Sequence, residues 1–294
     1  MSWPNLNDLI VAAGAEAPIG LVGAPLAAGS VTPGRCDLAP ALLRATLRRI
    51  GRYDIETRRE MTSRIADHGD VAIGGLTIEQ ATTPIRDACA TSVARHQLTL
   101  LVGGNNAVTR PGVHALGLPL EKVGLITLDA HFDLRDTDDG LCNGNPVRAL
   151  LEDGLPGINI QQIGIAPFAN TRKMDEDADA EGINVMSIRD CFGMGIDWCI
   201  QTAIDFLPHV EAIYVDCDID VIDRSQFPAA PGGRPGGMTA EMFFAATRRL
   251  ASEPRVKIID LTEWDPPLDP TDLSALTAAR WVAECVAGFA QRGG

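Results

Sequence analysis

The chain has 294 residues, of which 46% are hydrophobic, and a formal net charge of −14. That length and apolar content suit a chain with a sizeable core and exclude wholesale disorder. The acidic balance argues against nucleic-acid binding and against an anionic membrane surface, and leaves a small-molecule substrate as the expected partner.

In chain order, the opening stretch MSWPNLNDLI has no basic segment followed by a hydrophobic one, so neither a signal peptide nor a membrane span is expected. Short β-type runs then alternate with helix-compatible ones. Strands are expected at 19–22, 71–73, 98–102, 123–128, 160–165, 183–186, 212–215 and 256–261, and helices at 39–50, 77–95, 171–180, 195–207, 240–251 and 272–289. Several strand runs are almost continuously apolar, as in strands covered on both faces. The alternation points to an α/β protein with a mainly parallel sheet and helices on both sides. No repeat or linker interrupts it, so residues 1–294 read as one domain. Two Gly/Pro-rich segments, 103–106 and 227–237, look like working loops. Seven cysteines are dispersed without a C-x-x-C pair, which reads as reduced thiols in a cytoplasmic protein.

Two segments carry the chemistry. The apolar run 123–128 leads directly into Asp129-Ala-His131-Phe-Asp133, and the run 212–215 leads into Asp216-Cys-Asp218-Ile-Asp220-Val-Ile-Asp223. In an extended chain residues i, i+2 and i+4 face one way, so each set can converge. Buried carboxylates so close together repel unless a cation joins them. Mixed carboxylate and imidazole ligands suit Mn²⁺ or Fe²⁺ better than thiol-seeking zinc or oxygen-only calcium. In open α/β sheets such sites collect at strand carboxyl ends. The other histidines, His68, His96, His114 and His209, have no ligand-like spacing and read as structural.

These motifs resemble those of the ureohydrolases, the family of arginase, agmatinase, guanidinobutyrase and formimidoylglutamase. Blocks match in order: Gly23-Ala-Pro25…Pro33-Gly34…Ala39-Pro40; Gly103-Gly104-Asn105-Asn106; Asp129-Ala-His131-Phe-Asp133; Asp218-Ile-Asp220-Val-Ile-Asp223…Ala230-Pro231-Gly232; and Glu263-Trp-Asp-Pro266-Pro-Leu-Asp269. The resemblance implies a three-layer α/β/α fold around an eight-stranded parallel sheet and a pair of Mn²⁺ ions. It implies that Asp129 and Asp218 bridge the metals, that His131 and Asp220 complete one shell and Asp133 the other, and that Glu263 faces the substrate amidine. It also implies homo-oligomers, trimers or hexamers.

Two departures stand out. Asn106 occupies the place of a histidine ligand in the family's G-G-D-H block, so it is expected as a weak neutral ligand. Asn143 stands where arginases and agmatinases carry a histidine. DAHFDLR followed by NGNPVR, and the segment around Asn170-Thr171-Arg172, resemble the formimidoylglutamase branch. The implied reaction is hydrolysis of N-formimino-L-glutamate to glutamate and formamide, with Asp133 handing a proton to the leaving nitrogen. The alternatives are urea release from a guanidino substrate, or a metal-poor relative that only binds. A substrate with carboxylates needs donors at the mouth, and Arg135, Asn143, Arg148, Asn170 and Arg172 are the candidates.

Overall fold

The computed structural model describes residues 3–292. The strands are β1 (Ile10–Ala12), β2 (Ile19–Ala24), β3 (Tyr53–Asp54), β4 (Arg59–Glu60), β5 (Ile65–Asp70), β6 (Leu98–Gly103), β7 (Val123–Leu128), β8 (Ile160–Ile165), β9 (Asn184–Ser187), β10 (Ala212–Cys217) and β11 (Val256–Leu261). Strands β3 and β4 form a small antiparallel hairpin. The other nine build one sheet in the order β1-β5-β2-β6-β11-β10-β7-β8-β9. All of its pairings are parallel.

The helices are α1 (Ala39–Thr46), α2 (Ile78–Val93), α3 (Thr109–His114), α4 (Pro146–Asp153), α5 (Arg172–Glu181), α6 (Ile188–Met194), α7 (Ile196–Asp205), α8 (Ala240–Ser252) and α9 (Leu273–Phe289). They split into two layers because strand side chains alternate between faces. Along β10, Ala212 and Tyr214 join the core under α2, α3 and α4, whereas Ile213, Val215 and Cys217 join the core under α1, α7, α8 and α9. Both clusters are apolar, and each fully buried Leu, Ile or Val in them contributes about 1.5–3 kcal/mol. Helix α9, expected as a core helix, is just that: Trp281, Val282, Cys285 and Val286 are fully buried.

The three-layer fold matches the expectation, with nine strands in place of eight. The additional strand, β1, has three residues, too few to show a period of two. The strand expected at 71–73 lies earlier, at Ile65–Asp70. Only its first two residues are buried, and Asp67 and Asp70 pair with Arg44, so its sequence lacks the apolar signature of an inner strand. Helices α3, α4 and α6 were not legible; each has eight residues or fewer, and the first two contain proline.

The histidines outside the motifs all find structural partners. His114 meets Asp153, and His209 meets the Asn159 Oδ1. His68 and His96 share a 2.9 Å Nε2···Nε2 contact, with His96 Nδ1 on the Ala17 carbonyl. Burial and the neighbouring His96 push the His68 pKa below its ordinary value. The fold therefore holds His68 neutral, while the unfolded chain takes up a proton near pH ~6.5. Stability from this site is complete above pH ~6.5 and declines as pH falls from there towards the depressed native value. Urea melts at pH 7.5 and 5.5 are expected to show a smaller acid loss for His68→Gln than for the parent; equal losses would contradict this.

Candidate metal centre and active site

Four neighbouring strands in the middle of the sheet, β6, β11, β10 and β7, end together. Each delivers polar residues just past its carboxyl end: Asn106 after β6, Glu263 after β11, Asp218 and Asp220 after β10, and Asp129, His131 and Asp133 after β7. A parallel bridge between Asp218 and Thr262 carries the β10–β11 pairing into the site.

Asp129, His131 and Asp220 bring ligand-type atoms within 4.8 Å of one another. His131 Nδ1 is 2.9 Å from Asp220 Oδ2 and 3.5 Å from Asp129 Oδ1. The backbone tightens this group. The N–H of His131 donates to Asp129 Oδ1 (2.6 Å), that of Ala130 to Asp220 Oδ1 (3.3 Å), and that of Asp220 to Asp218 Oδ1 (2.9 Å). Gly232 closes over it. A Cβ there would stand 2.0 Å from Asp220 Oδ2 and 3.1 Å from His131 Cε1, so only glycine lets that loop approach so closely.

Asp129, Asp133, Asp218, Asp220 and Glu263 are all buried. Burial raises the Asp129 carboxyl to about 6, against the opposing hydrogen bond from His131. Glu263 is raised by burial to about 7, although Asn143 and the Asn106 N–H stabilise its charge. Asp133 and Asp218 are pushed well above the ordinary range by burial, then by Asp129 and Asp220 respectively. Burial works against a charged His131, yet Asp220 and Asp129 carry its pKa to about 11. A pocket that so disfavours its own anions calls for positive charge. The donor set of carboxylates plus one imidazole, cradled by Gly232, fits a manganese-type divalent cation.

Two of these carboxylates stand on strained backbone: Asp133 has φ +55° and Glu263 φ +59°. Left-handed conformations cost a non-glycine residue of order 1–3 kcal/mol and persist where the surroundings enforce them. Here hydrogen bonds do so. Glu263 Oε1 accepts from the Asn106 N–H (2.7 Å) and from Asn143 Nδ2 (2.9 Å), while Asn143 Oδ1 accepts from the Val31 N–H (2.7 Å). Asn170 ties the loop after β7, accepting from the Phe132 N–H and donating to the Ala130 carbonyl, both at 3.0 Å.

Three of the expected residues stand apart from the places their roles would give them. Asn106 turns its amide oxygen away from the cluster, to the hydroxyls of Thr109 and Thr262 at 3.0 Å each, and donates through Nδ2 to Asp133. In that orientation its amide NH2, and not its oxygen, faces the carboxylates. Arg148 is drawn off by Asp177, which Lys173 also grips. Arg172 opens helix α5 as an exposed residue outside the site cavity. That cavity, about 140 Å³, is lined by His131, Asp133, Asp218, Asp220 and Glu263 below, and by Arg135, Asn143 and Asn170 around them. Arg234 lines it too and was missed, although it is the one cation in the Gly/Pro-rich loop 227–237. Also missed was the buried support beneath Asn106. Thr109 Oγ1 lies 3.2 Å from Asp260 Oδ2, and Asp260 accepts from the Tyr214 hydroxyl (2.5 Å) and the Cys217 N–H (2.9 Å).

A parallel sheet with an acid–imidazole cluster at its carboxyl ends is the framework of a metal-dependent hydrolase. The model of the arginase family matches residues 17–288. The formimidoylglutamase of Halalkalibacterium halodurans is 30% identical over 275 residues, which covers 92% of this chain and 86% of that one. The crystal structure of the Bacillus subtilis formimidoylglutamase superposes with a TM-score of 0.93 at 26% identity, covering 99% of this chain and 94% of that one. Trypanosoma cruzi formiminoglutamase with Mn2+2 shares the fold, with a TM-score of 0.90 at 23% identity over 98% and 99% of the two chains. The chain belongs to the arginase family.

Proposed function

We propose that the protein is a manganese-dependent, formimidoylglutamase-type hydrolase, splitting N-formimino-L-glutamate into glutamate and formamide. The observation that carries this reading is the Asp129–His131–Asp220 group with Glu263 facing the same cavity. The likeness to two formimidoylglutamases over nearly the whole chain supports the formimino substrate over a guanidino one.

Asp129, His131 and Asp220, with Asp218 and Asp133 beside them, would hold the metal; Asn106 serves by fixing Asp133. When bound, divalent cations supply a water of strongly lowered pKa and Lewis-acid polarisation. The chain's own residues do the rest. Glu263 keeps Oε1 on Asn106 and Asn143 and has Oε2 left to accept from a substrate amidinium N–H. That fixes the amidine carbon over the cluster. Asp133, steadied at Oδ2 by Asn106, has Oδ1 without a hydrogen-bond partner among the described residues and can take a proton from the attacking water and pass it to the departing nitrogen. Asn143 carries no titratable proton, so its part is to orient Glu263.

The reading extends to one catalytic domain over residues 1–294, two Mn²⁺ per chain, a cytoplasmic location and a homo-oligomer, trimeric or hexameric. Among the described residues no helix is long and apolar enough to cross a membrane. Assays of the Mn²⁺-loaded protein on formiminoglutamate, arginine, agmatine and 4-guanidinobutyrate, scoring formamide and urea separately, test the substrate. Formamide from the first compound alone is expected; urea as the main product would overturn the formimino reading.

A further inference from the structure

We propose that Arg234 is a specificity-determining residue that, with Arg135, makes the site select a substrate bearing two carboxylates, each arginine receiving one. This rests on the formimino reading above and deepens it.

The cavity floor is acidic, formed by Asp133, Asp218, Asp220 and Glu263, and the chain as a whole carries −14. Arg135 and Arg234 are the only Arg or Lys side chains lining it among the described residues. Both are exposed. Neither has a carboxylate partner within 4 Å among the described residues, whereas Arg44, Arg110, Arg148 and Arg248 are all paired. A guanidinium left unpaired beside four carboxylates is held for something else.

The two arginines reach the cavity from different loops. Arg135 lies on the loop after β7 and drapes over Gly144, where a Cβ would come within 2.7 Å of its Cδ, next to the Asn143 that orients Glu263. Arg234 lies on the loop after β10. Its Nη1 is pinned to the carbonyls of Gly232 (2.6 Å) and Gly233 (3.3 Å), beside the His131–Asp220 side of the site. Those bonds fix the plane of the guanidinium and leave Nε and Nη2 without partners among the described residues. That edge of the fork matches the two oxygens of a carboxylate. An acidic cavity repels a dianion unless cations at its rim compensate, and two fixed cations on separate loops set the count and spacing of acceptable carboxylates.

The test is Arg234→Gln and Arg234→Lys in the Mn²⁺-loaded protein, with three substrates: N-formimino-L-glutamate, N-formimino-L-norvaline (no side-chain carboxylate) and N-formimino-4-aminobutyrate (no α-carboxylate). R234Q is expected to raise KM for the dicarboxylate about 10- to 100-fold with little change in kcat. That penalty should vanish on one of the two monocarboxylates and persist on the other. R234K should recover part of the loss, keeping charge without the fork. A loop staple alone would lower the melting temperature and depress all three substrates alike; that pattern, or no penalty at all, overturns the proposal. Calorimetric titration with L-glutamate separates the two readings. Parent binding that R234Q loses supports the arginine assignment even if no formamide is released. Formamide release with unaltered R234Q behaviour sinks the assignment alone.

Discussion

Asp129→Ala is expected to abolish turnover, by ~10³-fold or more, and to strip manganese from the purified protein, because several kcal/mol of barrier lowering depend on the bound cation. Asp129 is held in the site at one oxygen: its Oδ1 takes the His131 N–H at 2.6 Å and lies 3.5 Å from His131 Nδ1. Removing the carboxylate also removes one of several mutually repelling buried acids, so the folded state should survive without metal. Thermal melts in excess chelator should place the variant close to the parent, and the gap should open when Mn²⁺ is added, since only the parent gains from ligation. A variant that retains its metal and its rate would remove Asp129 from the centre.

Gly232→Ala is the second large effect, and it separates position from chemistry. No ligand is deleted. The added methyl would sit 2.0 Å from Asp220 Oδ2, and the carboxylate end must swing away to admit it. That breaks the 2.9 Å approach of Asp220 to His131. Disturbing ligand orientation at metal centres typically costs about 10–100-fold in metal affinity or activity. We expect a loss of that size in both, with a melting temperature near the parent's in chelator. Unchanged metal affinity would mean that the loop gives way while Asp220 stays put.

The fold was legible where burial shapes sequence. Strands β6, β7 and β10 lie inside the sheet, and their nearly continuous apolar runs announced them. Strand β5 escaped because Asp67 and Asp70 serve Arg44, and β1 because three residues show no period. The carboxylates were legible for a related reason: charged residues directly after apolar runs have no place to go but the sheet's carboxyl edge. What stayed hidden depends on side-chain direction. Nothing in the letters says that Asn106 turns its oxygen to Thr109 and Thr262, or that Asp177 claims Arg148. The left-handed backbone at Asp133 and Glu263 was equally invisible, since local sequence disfavours it and only the hydrogen-bonded surroundings hold it. Arg234 was overlooked because a cation among glycines and prolines looks like ordinary loop surface until the cavity is seen.

The most direct measurement is anomalous scattering at the manganese edge from crystals grown with Mn²⁺. A peak is expected within ~2.0–2.3 Å of oxygen or nitrogen atoms of Asp129, His131 and Asp220, distances usual for such ligands. Manganese bound elsewhere, or an active crystal with no peak among these three side chains, would contradict the proposed centre.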